Sequence, residues 1–271
     1  MTIKFRNRLN IGFICFSIFI FLVNISFFIH SLIVGNYTLP DFTATSSSQS
    51  FFLRYRIYYV FASIIFLMLY TIATSFYLWL GFEKTQSSEV VFILLFLASF
   101  IFDSARLLIP FYYTKGPYST FIFTLGNFII LSRILAPLSL LSLNVFTTED
   151  ERQNVERNLL MILVCATIFA VYIPLNTGDV YKNFAIAYSF DKTIFLTQIT
   201  INILTIFIMF LRQFNARSSQ ILTFGYAMIS FGYIVLFNTW NLLTLTAGII
   251  LTTSGTILYL GSLHKGYMFD M

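Results

Sequence analysis

Charged side chains are scarce in this sequence. Asp, Glu, Lys and Arg make up 10% of its 271 residues, whereas they account for ~25% of an ordinary soluble domain. Hydrophobic residues make up 58%, and the mean hydropathy is +0.84. This balance excludes a soluble globular protein and predicts a chain whose solvent is mainly lipid.

Cysteine and histidine are also rare. Cys15 and Cys165 both fall inside apolar runs, which is typical of small buried hydrophobic residues and gives no sign of a disulfide, a redox centre or a zinc site. His30 has no second histidine near it in the sequence. The sequence therefore predicts no metal site and no cofactor.

Catalytic motifs are missing as well. The sequence contains no His-Glu-x-x-His, no Gly-x-Ser-x-Gly and no phosphate-binding glycine-rich loop. Asp103 is the one carboxylate inside a predicted span, which excludes a protease with paired aspartates. No lysine lies in mid-span, where a retinal Schiff base would need it. These absences argue against an enzyme.

Long apolar runs are what the sequence has instead. A bilayer core of ~30 Å needs about 20 helical residues to cross it. The predicted fold is an all-α integral membrane protein, a polytopic helical bundle of eight transmembrane helices that forms a single domain over residues 1–271. Seven spans are the alternative, if one of the last two runs is re-entrant. The predicted spans lie near residues 11–34, 58–82, 90–113, 118–146, 159–175, 193–211, 221–238 and 242–263.

The loop cations predict the orientation of the bundle. Inner segments hold Lys4, Arg6, Arg8, Lys84, Arg152, Arg157, Arg212, Arg217 and Lys265, and outer segments hold Arg54, Arg56, Lys115, Lys182 and Lys192. Because cytoplasmic loops carry the excess of Lys and Arg, we expect both termini in the cytoplasm. The longer loops, residues 36–53 and 179–192, then lie outside, and the second is either a lid or a plain connection. The abundance of Phe, Ile and Tyr suits an AT-rich bacterial genome, so we expect a multi-pass protein of the bacterial cytoplasmic membrane.

One apolar run, Glu89 to Tyr113, holds both signs of charge. An unpaired ion inside hydrocarbon costs at least ~2.5–3.5 kcal/mol. Asp103 and Arg106 are three residues apart, so they can pair on one helix. Arg133 enters from the opposite side on the next helix, with an axial offset of ~10 Å from Asp103 that the long Arg side chain partly covers.

Several uncharged polar residues can join these charges. The predicted intramembrane network comprises Asp103, Arg106, Arg133, Asn127, Gln198 and Asn202, with Asn238 as a further candidate. Pro137 can supply a freed backbone carbonyl to the network. Two interpretations remain open: a satisfied structural network that fixes the packing of the third and fourth helices, or a ligand, ion or proton site.

The last two spans are rich in Gly, Ser and Thr. Small residues let helix backbones approach closely, so we expect either a tightly packed hairpin or a contact with a partner protein or a second copy of the chain. The lipid bilayer is the other expected partner. Nucleic acid is not, because topology and anionic headgroups account for the net charge of +5.

The predicted function is that of a membrane-embedded sensory or signalling module, or an accessory subunit, that acts through partner proteins. Its support is the outer position of the longer loops and the lack of room for a soluble domain. The alternative is a small-solute or ion transporter that uses the same charges as its substrate or coupling site. Transporters usually have broken helices in matching positions of two halves, whereas Pro110 and Pro137 fall in adjacent helices.

Overall fold

The computed structural model describes residues 2–35, 52–83, 85, 87–112, 119–146, 154–216 and 220–269. Within these residues, eight helices are long and apolar enough to cross a membrane, and both of the last two runs are among them. The prediction of a membrane-embedded helical bundle is confirmed to this extent.

Three helices, residues 3–34, 191–216 and 242–269, extend well beyond their predicted spans, because an apolar run marks the hydrocarbon depth and a helix can continue into the interface. The elements are α1 (Ile3–Val34), α2 (Ile57–Phe82), α3 (Glu89–Asp103), a 3₁₀ turn (Ser104–Leu108), α4 (Ile109–Tyr112), α5 (Thr120–Val145), α6 (Val155–Tyr172), β1 (Leu175–Val180), β2 (Ile186–Tyr188), α7 (Asp191–Ala216), α8 (Gln220–Phe237) and α9 (Leu242–Phe269). Together α3, the 3₁₀ turn and α4 form the third span.

The third span lies at the centre of the bundle. Of the residues in its most apolar stretch, 89% are buried inside the protein, whereas 11% are buried in the corresponding stretch of α1. A helix that is apolar on all sides is stable only when its neighbours or lipid surround it. Around α3 the rings of Phe96, Phe100, Tyr233 and Phe237 pack edge to face, with centroids 4.7–5.7 Å apart.

The peripheral helices turn their apolar side chains outward. Cys15 on α1 and Cys165 on α6 are exposed, so the prediction that both are buried is wrong. Their apolar surroundings in the sequence reflect the surface that a helix presents to lipid, which has the same composition as a core.

Helices α8 and α9 form a close-packed hairpin. A Cβ atom on Gly255 would lie 2.8 Å from the carbonyl oxygen of Gly225 and 2.8 Å from the backbone nitrogen of Ile229. A Cβ atom on Gly232 would lie 2.8 Å from the backbone nitrogen of Thr252. These small residues therefore serve contacts within the chain, and an additional contact with a partner protein or a second copy stays a prediction.

A two-stranded antiparallel hairpin joins α6 to α7. The fifth span ends at Tyr172, not near residue 175 as predicted, because Pro174 cannot continue a helix. The hairpin tip enters the bundle: Phe184 is fully buried, and its ring centroid lies 5.0 Å from that of Phe61. Phe184 has a φ of +64°, a conformation that is uncommon for a bulky residue. The segment is thus a β-hairpin whose tip packs inside the bundle, rather than a plain connection or a surface lid.

The hairpin defines one end of the bundle, here called the hairpin end. At this end the segment before α2 contacts the turn before α9, since the backbone nitrogen of Arg56 donates to the carbonyl oxygen of Trp240 at 3.4 Å. At the opposite end Arg6 donates to the carbonyl oxygens of Phe82, the last residue of α2, and of Thr85, which lies beyond that helix. The sidedness of the two ends stays a prediction. Residues 36–51 of the first long loop lie outside the described residues, as do Lys84, Lys115, Arg152 and Arg217.

The glycine contacts predict a sharp difference between two equivalent substitutions in α9. Gly255→Ala should lower the free energy of unfolding by about 1–3 kcal/mol, because the new methyl group overlaps the α8 backbone. Gly261→Ala is the matched control, since its Cβ atom would meet nothing within 4 Å. Unfolding of both variants by SDS in mixed micelles measures the difference, and equal stabilities would contradict the close approach.

Candidate functional site

Asp103 and Arg106 form an ion pair in the middle of the third span. Nε of Arg106 donates to Oδ2 of Asp103 at 2.9 Å, and Nη2 donates to the same oxygen. Both residues are fully buried. The 3₁₀ turn begins directly after Asp103, and its three residues per turn place positions i and i+3 on the same face. Ser132 on α5 donates to Oδ1 of Asp103 at 3.4 Å.

The backbone carbonyl of Phe237 is the acceptor at which the buried cations meet. It accepts hydrogen bonds from Nη1 of Arg106 at 3.0 Å, Nη2 of Arg133 at 2.8 Å and Nδ2 of Asn183 at 2.9 Å. These three donors come from the third span, α5 and the hairpin tip. We refer to this carbonyl and its three donors as the Phe237 node.

The position of the node follows from the end of α8. Phe237 is the last residue of that helix, and the last four carbonyls of a helix have no partner within it. The helix dipole adds partial negative charge at the same place, which favours cations there. The ring of Phe237 also attracts the two cations. Its centroid lies 4.9 Å from the guanidinium carbon of Arg133 and 5.9 Å from that of Arg106.

Arg133 does not bond to Asp103, although the sequence predicts that its side chain extends toward that residue. It bonds to the Phe237 carbonyl and, through Nη1, to Oδ1 of Asn238 at 3.0 Å. Its contact with Arg106 is therefore indirect, through the shared acceptor. Among the described residues, no carboxylate lies within ion-pair distance of Arg133, and its Nε has no hydrogen-bond partner although the residue is only 4% exposed.

Pro137 and Gln198 connect α5 to α7. A proline has no N–H, so Pro137 leaves the carbonyl four residues earlier, that of Arg133, without its helical partner. Nε2 of Gln198 donates to this carbonyl at 2.5 Å. One turn further along α7, Nδ2 of Asn202 donates to the hydroxyl of Tyr233 on α8 at 2.6 Å. The three helices are thus joined by side chains on one stripe of α7.

The structure brings most of the predicted site residues together and leaves one apart. Asp103, Arg106, Arg133, Gln198 and Asn202 form a connected set through the contacts above and through the bond from Nδ2 of Asn202 to the backbone carbonyl of Gln198 at 2.7 Å. Asn127 lies outside this set, and its Oδ1 has no hydrogen-bond partner in the part of the chain that the structure describes.

Three members of the site were not predicted. Ser132 is a small hydroxyl residue of a kind that is common in membrane helices. Asn183 lies in a connection, where nothing in the sequence signals that it enters the bundle. The Phe237 carbonyl belongs to the backbone, and only the interruption of the last apolar run at Asn238 marks the helix end that exposes it.

A cavity of about 320 Å³ lies beside the node at the hairpin end. Its lining residues are Arg133, Tyr181, Asn183, Ala185, Tyr188, Asp191, Lys192, Phe195, Gln198 and Asn238. Arg133 lies at its buried side, and the exposed Lys192 lies at its rim. Ligand pockets in proteins begin at about 300 Å³, so this space is large enough for a small molecule.

Two tyrosine hydroxyl groups of the cavity stay protonated at neutral pH. Burial, together with the hydrogen bond to Asp191 and the charge of that residue, raises the pKa of Tyr181 to about 12. Its hydroxyl donates to Oδ2 of Asp191 at 3.0 Å. Burial also raises the pKa of Tyr188, against the opposing effect of Arg133. The cavity therefore offers a ligand the Arg133 cation and the neutral hydroxyl group of Tyr188, whereas the Tyr181 hydroxyl is already bonded to Asp191.

No protein-family model matches the chain, and no curated protein or solved structure matches it significantly.

Asp103→Asn should be more destabilising than the double substitution Asp103→Asn with Arg106→Met. The single variant leaves a buried guanidinium without its counter-charge, and breaking a buried ion pair in this way costs about 3–5 kcal/mol. The double variant removes that charge, so part of the loss should be recovered. Unfolding in SDS mixed micelles provides the comparison, and a double variant less stable than Asp103→Asn would show that the pair is not coupled in this way.

Gln198→Leu should cost about 1–3 kcal/mol of stability, because it leaves the Arg133 carbonyl buried without a donor. The same substitution in a Pro137→Ala background should cost less, since alanine at that position restores the helical N–H. The four proteins of this double-mutant cycle are compared by SDS unfolding. Additive effects would mean that Gln198 does not serve the carbonyl that Pro137 frees.

Proposed function

We propose that the protein is a membrane-embedded sensory or signalling module, or an accessory subunit, that receives a small polar ligand at its hairpin end and acts through partner proteins. One observation carries the proposal. The cavity reaches Arg133, and Arg133 shares its carbonyl acceptor with the sealed Asp103–Arg106 pair. A ligand on Arg133 would therefore act on an acceptor that joins the third span, α5, α8 and the hairpin.

The coupling follows from competition for one guanidinium. A ligand that bonds to Arg133 weakens or redirects its bonds to Phe237 and Asn238, which hold the end of α8. Asn183 binds the same carbonyl at 2.9 Å, so the hairpin tip responds to the same change. The two arrangements are the one in which Arg133 holds Phe237 and Asn238 and the one in which it holds the ligand. A ligand shifts the equilibrium between them only by its difference in affinity for the two, and that difference depends on the strength of the contacts that Arg133 makes in each.

The hairpin end faces the cell exterior in this proposal, and both termini face the cytoplasm. The support is the excess of loop cations on the opposite side, which follows the positive-inside rule. The cavity is then open to the external medium. Partner proteins can bind to the opposite ends of the helices and to the exposed apolar faces of α1, α6 and α7. The same reasoning assigns the protein to the bacterial cytoplasmic membrane.

A transporter is the second candidate, and a second void favours it. This void has a volume of about 20 Å³ and is lined by residues of several helices, among them Tyr70, Thr74 and Thr256. Along α3 and α8, however, the rings of Phe100, Tyr233 and Phe237 lie between the two spaces and pack edge to face. Passage would require these rings to move, so the arrangement favours binding without passage.

Reconstituted vesicles distinguish the two candidates. A sensory module should give no protein-dependent swelling when phosphatidylcholine vesicles are placed in isosmotic solutions of small organic acids, amino acids, amines or sugars. A transporter should give swelling in one of these solutes, and Arg133→Met should abolish it while the exposed-site control Arg54→Met should not. Swelling of that kind would overturn the sensory proposal.

The dependence on partners is tested separately. Purification of the tagged full chain from its native membranes in a mild detergent should yield a second protein in constant stoichiometry. Recovery of the chain alone, after chemical crosslinking in the intact membrane, would contradict a function that is exerted through partners.

A further inference from the structure

We propose that the cavity at the hairpin end binds a small organic carboxylate and that Arg133 is the residue that holds it. This inference rests on the proposed function, since it names the chemistry of the ligand for the same site. Its basis is the juxtaposition of a buried cation that has no ion-pair partner among the described residues, an unpaired donor on that cation and a cavity that the residue lines.

The charges at the Phe237 node favour an anionic ligand. Asp103 pairs with Arg106 within the third span, and no described carboxylate forms an ion pair with Arg133. The end of α8 supplies only a partial negative charge of about half an electron, and two guanidinium groups share it. A buried cation without a counter-ion is costly in a medium of low dielectric constant, so an anionic ligand beside Arg133 is stabilised.

Nε of Arg133 is a buried donor that a shift of the side chain would present to a ligand in the cavity. Nη1 is bonded to Asn238 and Nη2 to the Phe237 carbonyl. Nε has no partner among the described residues, although the residue is only 4% exposed. Buried polar groups in native proteins nearly always have a partner. A carboxylate oxygen is the acceptor that matches a guanidinium best.

The rest of the lining selects an organic monoanion. The cavity volume of about 320 Å³ is far larger than a halide ion occupies, and the side chains of Ala185 and Phe195 offer apolar surface to a carbon skeleton. Asp191 also lines the cavity, with its carboxylate held by Tyr181 and by the backbone nitrogen of Lys192 at 2.7 Å. Its negative charge disfavours a second carboxylate on the ligand, although Lys192 nearby reduces that effect.

The binding test uses radiolabelled propionate as the probe and the full chain in phosphatidylcholine nanodiscs. Wild-type protein should bind propionate saturably, and unlabelled propionate should compete. Chloride, propylammonium and the neutral amide propionamide should compete poorly. Succinate should compete less well than propionate because of Asp191.

Three variants locate the site. Arg133→Met should weaken propionate binding by about 10- to 100-fold, the effect of losing a hydrogen bond to a charged group. Arg54→Met is the matched control: it removes an exposed cation at the same end of the bundle and should leave the affinity unchanged. Asn238→Asp keeps Arg133 but places a carboxylate of the chain itself beside Nη1, so it should weaken propionate binding as well while the protein stays folded.

The Asn238→Asp variant keeps the proposal falsifiable if Arg133→Met fails to fold. Propionate binding that persists in Asn238→Asp with wild-type affinity would overturn the assignment, as would equal competition by propylammonium or chloride. Nanodiscs that contain phosphatidylserine separate two sources of the carboxylate. Loss of propionate binding in them assigns the natural ligand to a lipid headgroup, and unchanged binding assigns it to a soluble acid; both outcomes support a carboxylate site.

Failure of this assignment is distinct from failure of the proposed function. If propionamide binds in an Arg133-dependent way and propionate does not, the ligand is not a carboxylate, but the sensory proposal stands. If propionate binds as expected but also crosses vesicle membranes in an Arg133-dependent way, the carboxylate site stands and the sensory proposal falls.

Discussion

A single backbone carbonyl organises the polar interior of this protein. The oxygen of Phe237 accepts from two guanidinium groups and one amide, which arrive from the third span, α5 and the hairpin tip. Lipid and apolar side chains offer these cations no alternative acceptor, so the position of the α8 end determines where the other three elements can lie. The break between α8 and α9 is therefore as important to the bundle as any of its helices.

The two arginines at this carbonyl differ in their electrostatic situation. Arg106 has a carboxylate three residues away and is fully sealed, which is typical of a structural ion pair. Arg133 has no such partner in the described residues and lines a cavity. Under the proposed function, the two interpretations of the buried charges that the sequence left open apply to different residues: the pair is suited to packing, and Arg133 is suited to a ligand.

The fold was far more predictable from the sequence than the site. The spans follow from apolar runs, because crossing lipid requires them, and a contact between Asp103 and Arg106 can be anticipated because it is local. The partners of Arg133 cannot, since a freed helix-end carbonyl has no side chain to mark it. The hairpin was missed for a related reason: residues 175–188 mix polar and apolar types without the strict alternation of a strand, and their burial depends on a space that only the assembled bundle creates.

The local nature of the Asp103–Arg106 pair has a consequence for biogenesis. Phe237 lies 131 residues after Arg106 in the chain, and synthesis at about 5–20 residues per second separates the two by roughly 7–26 seconds. Throughout that interval the third span must enter the bilayer without its distant acceptors. Asp103 is already present on the same segment, so it can neutralise Arg106 from the moment the helix forms. The ion pair thus makes the central helix of the bundle insertable before the residues that will later enclose it have been translated.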